Sequence, residues 1–368
     1  MHKTNRNKRI LLYVGHPAHY HNLKWVAKSL QDEGAEVLFV ARQKDVLFKL
    51  MKNCPFETIF LPARDGDSKL GLIQSVLQRE WKMLTIIRRF RPDIMAGTDI
   101  VIAHLGSLLG IPSVLINEDD LDQVPLFARY GVRFCSLNLA PAVCRVQGYE
   151  HKTQLYDSYH ELAYLHPELF SPDKDLIRPY IRADEPYFIL RFASLTAHHD
   201  DGKKGITDDL ANELIAMLNN HGRVYITSER ALPESLEQYR TSIPPEVMHH
   251  AMAFAGLYIG DSQTMAAEAA VLGTPSVRFN DFVGKLSYLD ELEHKYELTI
   301  GIPTDRPERL LQVVGDMLRD PQLKDSWSAR RWQMLSEKKN LAVIWTDVLL
   351  HYPYRQSFND LRFAIPNG

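Results

Sequence analysis

The stretch LYIGDSQTMAAEAAVLGTPSVR, residues 257–278, decides the fold. Leu257 to Gly260 is a short apolar run closed by glycine, the pattern of a strand buried on both faces. Ser262 is a good helix N-cap, the alanine-rich run after it favours helix, and Gly273 is placed to end that helix. Ser276 to Arg278 then opens a second apolar run. Strand, capped helix and strand in succession make a parallel βαβ unit. The free N–H groups of Gln263 and Thr264, with the helix dipole behind them, suit an anion such as a diphosphate. Glu268, the charged residue of this helix, lies six residues past the cap, about 9 Å along the axis. That is a reasonable distance from a diphosphate to ribose hydroxyls. A plain capped core helix, with Glu268 reaching solvent, accounts for the same residues.

The alternation extends in both directions. Upstream, Ile10–Val14, Val37–Val40, Thr58–Leu61, Asp93–Ala96 and Ser113–Ile116 read as strands, with helices over Asn22–Glu33, Lys69–Phe90 and Ile100–Leu109. The pattern restarts with strands at Tyr187–Arg191 and Arg223–Thr227 around a helix over Thr207–Asn219, and successive helices follow from Pro307 to His351. Between the two sets lies a tyrosine- and histidine-rich stretch with Tyr149, His151, Tyr156, Tyr159, His160 and Tyr164. It is expected to be a surface segment and interdomain connection. The expected architecture is α/β, with two doubly wound Rossmann-type domains facing a cleft. Residues 8–182 form the first domain with its connecting segment, 183–335 the second, and 336–368 are C-terminal helices packing back on the first.

Composition narrows the function. The 43 basic and 46 acidic side chains of the 368 residues leave a net charge of −3, which gives no support to nucleic-acid binding. Three cysteines without Cys-x-x-Cys spacing fit neither a disulfide framework nor a cysteine zinc cluster. The most apolar stretch, Ile94–Ile116, is broken by Thr98, Asp99, His104 and Pro112, so no membrane span or signal peptide is expected, and the location expected is cytoplasmic. The basic amphipathic stretch QREWKMLTIIRRFR, residues 78–91, offers an anionic membrane a peripheral contact. The alternative packs Trp81, Leu84 and Ile87 on the sheet.

Ligands of open α/β sheets bind beyond the carboxyl ends of the strands. In the first half this singles out the loop GHPAHYH, residues 15–21, where His19, taken as mid-loop, is the candidate base. Three histidines so close together also admit a metal, although no fixed Glu or Cys partner is evident. Asp99 and Glu118 follow later strands of the same half; helix capping and a solvated loop are their alternatives. In the second half Arg191 is a fork donor to phosphate, with His198 or His199 assisting, unless a nearby carboxylate pairs with it.

The segment at Ser262 resembles the C-terminal nucleotide-binding motif of GT-B-fold enzymes, particularly non-hydrolysing UDP-N-acetylglucosamine 2-epimerases and related glycosyltransferases. In that motif a serine and the following amides hold the diphosphate and a glutamate six residues on binds ribose; Ser262 and Glu268 have this spacing. Gln263-Thr264 stand where the epimerases have Gly-Gly. YHELAYLHP at 159–167, FSPD at 170–173, PYFILRF at 186–192 and HHD at 198–200 are similar to domain of unknown function family 354, a GT-B-like group met in surface-polysaccharide contexts. The resemblance implies a glycosyltransferase using a nucleotide-diphosphate sugar, most simply a UDP-sugar, with a sugar or lipid-linked acceptor and no cofactor or metal. It implies nucleotide contacts from Arg191, Ser262, Gln263, Thr264 and Glu268. The alternatives are a non-hydrolysing UDP-N-acetylhexosamine 2-epimerase, with Asp99 and Glu118 moving the sugar's C2 proton, and a non-catalytic nucleotide-sugar-binding protein. Glu118 stands one position from the epimerase spacing after Ile111-Pro112.

Overall fold

The computed structural model describes residues 7–43, 45–62, 69–193 and 205–353. The first half runs β1 (Arg9–Val14), α1 (Pro17–Asp32), β2 (Glu36–Arg42), α2 (Asp45–Met51), β3 (Glu57–Leu61) and α3 (Lys69–Phe90). It continues with β4 (Ile94–Gly97), α4 (Ile100–Leu109), β5 (Ser113–Ile116), α5 (Pro125–Phe127), β6 (Leu137–Pro141) and β7 (Thr153–Tyr156). The second half contains β8 (Tyr187–Phe192), α6 (Asp208–Leu218), β9 (Arg223–Ser228), α7 (Glu234–Glu237), α8 (Met248–Phe254) and β10 (Leu257–Gly260). Then come α9 (Gln263–Leu272), β11 (Ser276–Phe279), α10 (Ser287–His294) and β12 (Thr299–Ile302). The chain ends in α11 (Pro307–Arg319), α12 (Leu323–Glu337) and α13 (Leu341–His351).

Two all-parallel sheets result, ordered β3-β2-β1-β4-β5-β6-β7 and β12-β11-β10-β8-β9. The continuous apolar runs are explained by burial on both faces. Ile10, Leu12 and Val14 of β1 face a core with Leu23, Val26 and Leu30 of α1, while Leu11 and Tyr13 face a second core with Met83 and Ile87 of α3. Each sheet reverses its strand order once, between β1 and β4 and between β8 and β10, which opens a crevice at the carboxyl edge. At the first of these, Gly97 has φ +154° and a Cβ there would strike the Tyr13 carbonyl oxygen, so only glycine allows β4 to end against β1.

Two sequence expectations need correction. The segment 147–182 is not a surface connection throughout. Thr153–Tyr156 is strand β7, and residues 158–165 are all buried, Tyr159 and Leu162 completely. The 3₁₀ turn His160–Ala163 packs on α1, α9 and α13, which places it between the halves. Its tyrosines read as surface because their hydroxyls are polar, whereas here those of Tyr159 and Tyr164 find partners inside, Glu291 and Glu268. The second correction concerns α3, which buries Met83, Ile87 and Phe90 and leaves Trp81 71% exposed, so Trp81 is not on the packed face. Among the described residues no helix is long and apolar enough to cross a membrane.

The last helices close back on both halves. Helix α13 packs on α1, and Lys8 Nζ donates to the carbonyls of Leu350 and Tyr352. Arg331 of α12 donates to the Val271 carbonyl of α9.

Candidate functional site

In the first half, β1, β4 and β5 are neighbours, and the residues after them share one edge. Helix α1 begins at Pro17, with His16 as the N-cap accepting from Ala18 N. His19 is therefore in the first helical turn, not mid-loop, and His21 does not cap the helix. The proline at N1 explains the early start. His19 Nδ1 accepts from Gly15 N at 3.3 Å and lies 2.7 Å from Thr98 Oγ1, just after β4. Asp99 caps α4, its Oδ1 accepting from Val101 N at 3.0 Å. Glu118, beyond β5, has Oε2 3.2 Å from His160 Nδ1, and Asn22 Nδ2 approaches the same ring nitrogen at 3.3 Å.

In the second half, Ser262 caps α9, with Oγ accepting from Met265 N at 3.4 Å. Gln263 and Thr264 form the first turn, and Gln263 Oε1 is buried without a partner. Asp261 just before the cap is buried and accepts from Ala193 N at 2.6 Å; burial pushes its carboxyl up to about 6. A Cβ on Gly205 would collide with this carboxylate, so Asp261 fixes the chain on both sides of residues 194–204. His198 and His199 lie outside the described residues. Arg191 donates to Thr227 Oγ1 at 3.0 Å and to Glu229, so a phosphate at Arg191 has an existing ion pair to displace.

Glu268 does not reach bulk solvent. It is 5% exposed, and its Oε1 accepts from the Tyr164 hydroxyl at 2.7 Å and lies 2.9 Å from His249 Nε2. The His21 ring of α1 sits 4.8 Å from His249 and 5.4 Å from Tyr164, so this network crosses from one half to the other. Burial, reinforced by His249, Lys24 and His16, keeps His21 well below its ordinary range. Burial also lowers the Lys24 amine to about 8 although Glu268 pulls it upward. A second crossing runs through Asp120, fully buried, which accepts from Arg145 N at 2.6 Å and from Ser287 N at the start of α10 at 2.9 Å.

Sequence reading missed the groups that the 159–165 segment brings here: Tyr164, His160 and Glu161. The motif YHELAYLHP was visible, but nothing local showed that it folds inward. For a metal, Asp290, Glu293 and His294 bring ligand atoms within 4.8 Å of one another. Glu293, however, already accepts from the buried Arg278 at 2.7 Å and from Gly301 N at 2.8 Å, so this cluster serves a guanidinium.

Solved structures share this fold. The calicheamicin glycosyltransferase CalG4 is 12% identical with a TM-score of 0.59, covering 95% of this chain and 99% of that one. The spinosyn rhamnosyltransferase SpnG complexed with thymidine diphosphate is 16% identical, covering 91% and 99%, with a TM-score of 0.59. A putative UDP-N-acetylglucosamine 2-epimerase from Listeria monocytogenes is 10% identical, covering 94% and 96%, with a TM-score of 0.66. At such identities the likeness shows the fold, GT-B. No curated protein matches the chain. The chain belongs to the family described as "Protein of unknown function (DUF354)", whose model matches residues 9–292.

Proposed function

We propose that this protein is a glycosyltransferase acting on a nucleotide-diphosphate sugar, with a uridine nucleotide, in surface polysaccharide or glycoconjugate synthesis on the cytoplasmic side of a membrane. The observation that carries this reading is the Glu268–Tyr164–His249–His21 network. It gathers buried polar groups from both halves on α9, about 9 Å along the helix from its capped start. In this reading the diphosphate lies on the Gln263 and Thr264 amides beside Ser262, where the helix dipole stabilises the leaving charge. Glu268 takes the ribose, and Arg191 joins the phosphates by exchanging Glu229. The acceptor binds the first half. There His19 acts as base: its Nδ1, which accepts from Gly15 N, carries the free pair, and the acceptor's proton reaches it through the Thr98 hydroxyl 2.7 Å away. Residues 8–182 and 183–335 are proposed as the two domains; of the expected C-terminal helices at 336–368, α13 braces the first, and residues 354–368 lie outside the described residues. The exposed Trp81, followed by exposed Lys82, Arg88 and Arg89, supports peripheral contact with a membrane carrying a lipid-linked acceptor.

A second reading, the 2-epimerase, is favoured by one observation: Glu118 of the first half sits in a carboxylate-rich pocket with His160 and Glu161 rather than in a solvated loop. Asp99 would be its partner carboxylate, although it caps α4 here. Incubation with UDP-sugars separates the readings. A transferase releases UDP only with an acceptor; an epimerase isomerises the sugar without one; a binding protein does neither. Isomerisation without acceptor, abolished by Glu118→Gln, would replace the transferase reading.

A further inference from the structure

Two side chains in the buried 3₁₀ turn carry polar atoms that the fold leaves unanswered. Glu161 is 1% exposed and its Oε2 has no hydrogen-bond partner. His160 is 4% exposed and its Nε2 likewise has none. Folded proteins rarely keep such atoms, because burying a polar group without a partner is costly. Packing alone gives no reason for a carboxyl at 161, since the turn is already held by α1, α9 and α13. The groups around it make the choice stranger. Glu118, from the loop after β5, and Glu268, from α9, act on it as like charges, and Asp119 stands near Glu118. The phenols of Tyr156, Tyr164 and Tyr288 stand around the same carboxyls.

We infer that Glu118 and Glu161 together form the subsite for the sugar ring of the nucleotide sugar, accepting hydrogen bonds from its hydroxyl groups. The inference rests on the nucleotide-sugar reading and deepens it. Glu118 is the open member, its side chain 26% exposed, and Glu161 is the deep one, so a ring enters past Glu118 and meets the orphaned Oε2 of Glu161. A polyol supplies several donors on adjacent carbons, which suits two carboxyls and the unpartnered His160 Nε2. The stacked rings of Tyr156 and His160, 6.4 Å apart, add an aromatic wall. A cationic ligand fits less well. Burial, with the like charges around each group, raises both carboxyls, Glu161 to about 8, so the pair retains a proton near neutral pH. A metal fits less well too. The donor atoms that gather within 4.8 Å among the described residues are those of Asp290, Glu293 and His294, not these.

The test is calorimetric titration of the full chain with UDP, UDP-glucose, UDP-N-acetylglucosamine, TDP and TDP-glucose. Wild type is compared with Glu118→Ala and Glu161→Leu. At least one sugar conjugate should bind wild type more tightly than its own diphosphate. In each variant the diphosphate should keep its affinity within about twofold, while the extra affinity for the conjugate falls about tenfold. Glu161→Leu should melt no lower than wild type, because leucine fills a buried position whose carboxyl made no use of Oε2. A carboxyl retained only for folding predicts the opposite, a lower melt and an unchanged sugar increment. The inference is overturned if no conjugate exceeds its diphosphate, or if the increment survives both variants. If wild type binds neither diphosphate, the nucleotide reading itself fails and the subsite with it. If diphosphates bind and the increment is unaffected, only the subsite fails.

Discussion

The hydroxyl of Tyr164 donates to Glu268 Oε1 at 2.7 Å, with both side chains buried. Tyr164 belongs to the segment between the two sheets, and Glu268 to the helix whose N-terminus is the proposed diphosphate site. The bond therefore ties the geometry of that helix to the segment carrying His160 and Glu161.

Tyr164→Phe removes this donor and leaves the ring in place. A hydrogen bond to a charged group contributes about 1.5–3 kcal/mol, and the variant should lose a similar amount in urea unfolding. In a double-mutant cycle with Glu268→Ala the losses should be less than additive, because both changes break one contact. Additive losses would show that the two residues act separately.

Glu268→Ala should lower both nucleotide affinity and stability. An alanine-rich helix alone would predict an easily tolerated change, but burial reverses this. The truncation strands the Tyr164 hydroxyl and His249 Nε2, and each abandoned group costs about 1–3 kcal/mol. Affinity for UDP, measured by calorimetry, should fall about 10- to 150-fold if the carboxylate also holds ribose. A lower melting midpoint with unchanged affinity would make Glu268 purely structural and remove the strongest support for the transferase reading.

What the sequence disclosed and what it hid divide along one physical line. The strands were legible because parallel strands buried on both faces are continuous apolar runs, as in Ile10–Val14 and Leu257–Gly260. Helix α9 was legible because Ser262 and Gly273 terminate it locally, the latter at φ +78°. The partners of its polar residues were not, because they are set by tertiary contacts: Glu268 meets Tyr164 and His249. Arg191 meets Glu229, and Glu118 meets His160 across a long loop. Strand β7 was missed because Thr153–Tyr156 is a half-exposed sheet edge without an apolar run. His19 falls in the helix and not in the expected loop because Pro17 starts α1 at its first position, a start signal that the loop reading of residues 15–21 passes over.

Lys338 should prove essential to the docking of the last helix. Its amine is buried, 2.5 Å from Asp157 Oδ1 and 2.8 Å from Glu291 Oε2, and 4.8 Å from the centre of the Tyr159 ring. Lys338→Met leaves the mostly buried Glu291 with only the half-exposed Lys295, 3.6 Å away, as its cation. Removing one partner of a buried pair costs about 3–5 kcal/mol, and the lower end applies here because Asp157 is open to solvent. Urea melts should show the loss, and hydrogen exchange should rise first in α13. An unchanged midpoint would mean that Glu291 is satisfied by Tyr159 and Lys295.

The pH dependence of stability offers a test that needs no ligand. Burial, with Glu268 adding repulsion, pushes Glu161 up to about 8, whereas in the unfolded chain it ionises near its ordinary value of 4.5. Between these values the folded protein holds a proton that the unfolded chain has released. This contribution to stability is therefore complete below pH 4.5 and is lost as pH rises toward 8, by at most about 1.4 kcal/mol per pH unit. His21 and His160, both lowered by burial, act in the opposite sense, losing stability as pH falls below 6.5, and they do so in wild type and variant alike. Glu161→Gln cannot titrate. Its stability relative to wild type should therefore improve steadily from pH 5 to pH 8 in parallel urea melts, by about 1–3 kcal/mol in all. A difference that stays flat across this range would mean that Glu161 ionises normally and that the pocket holds no proton at neutral pH.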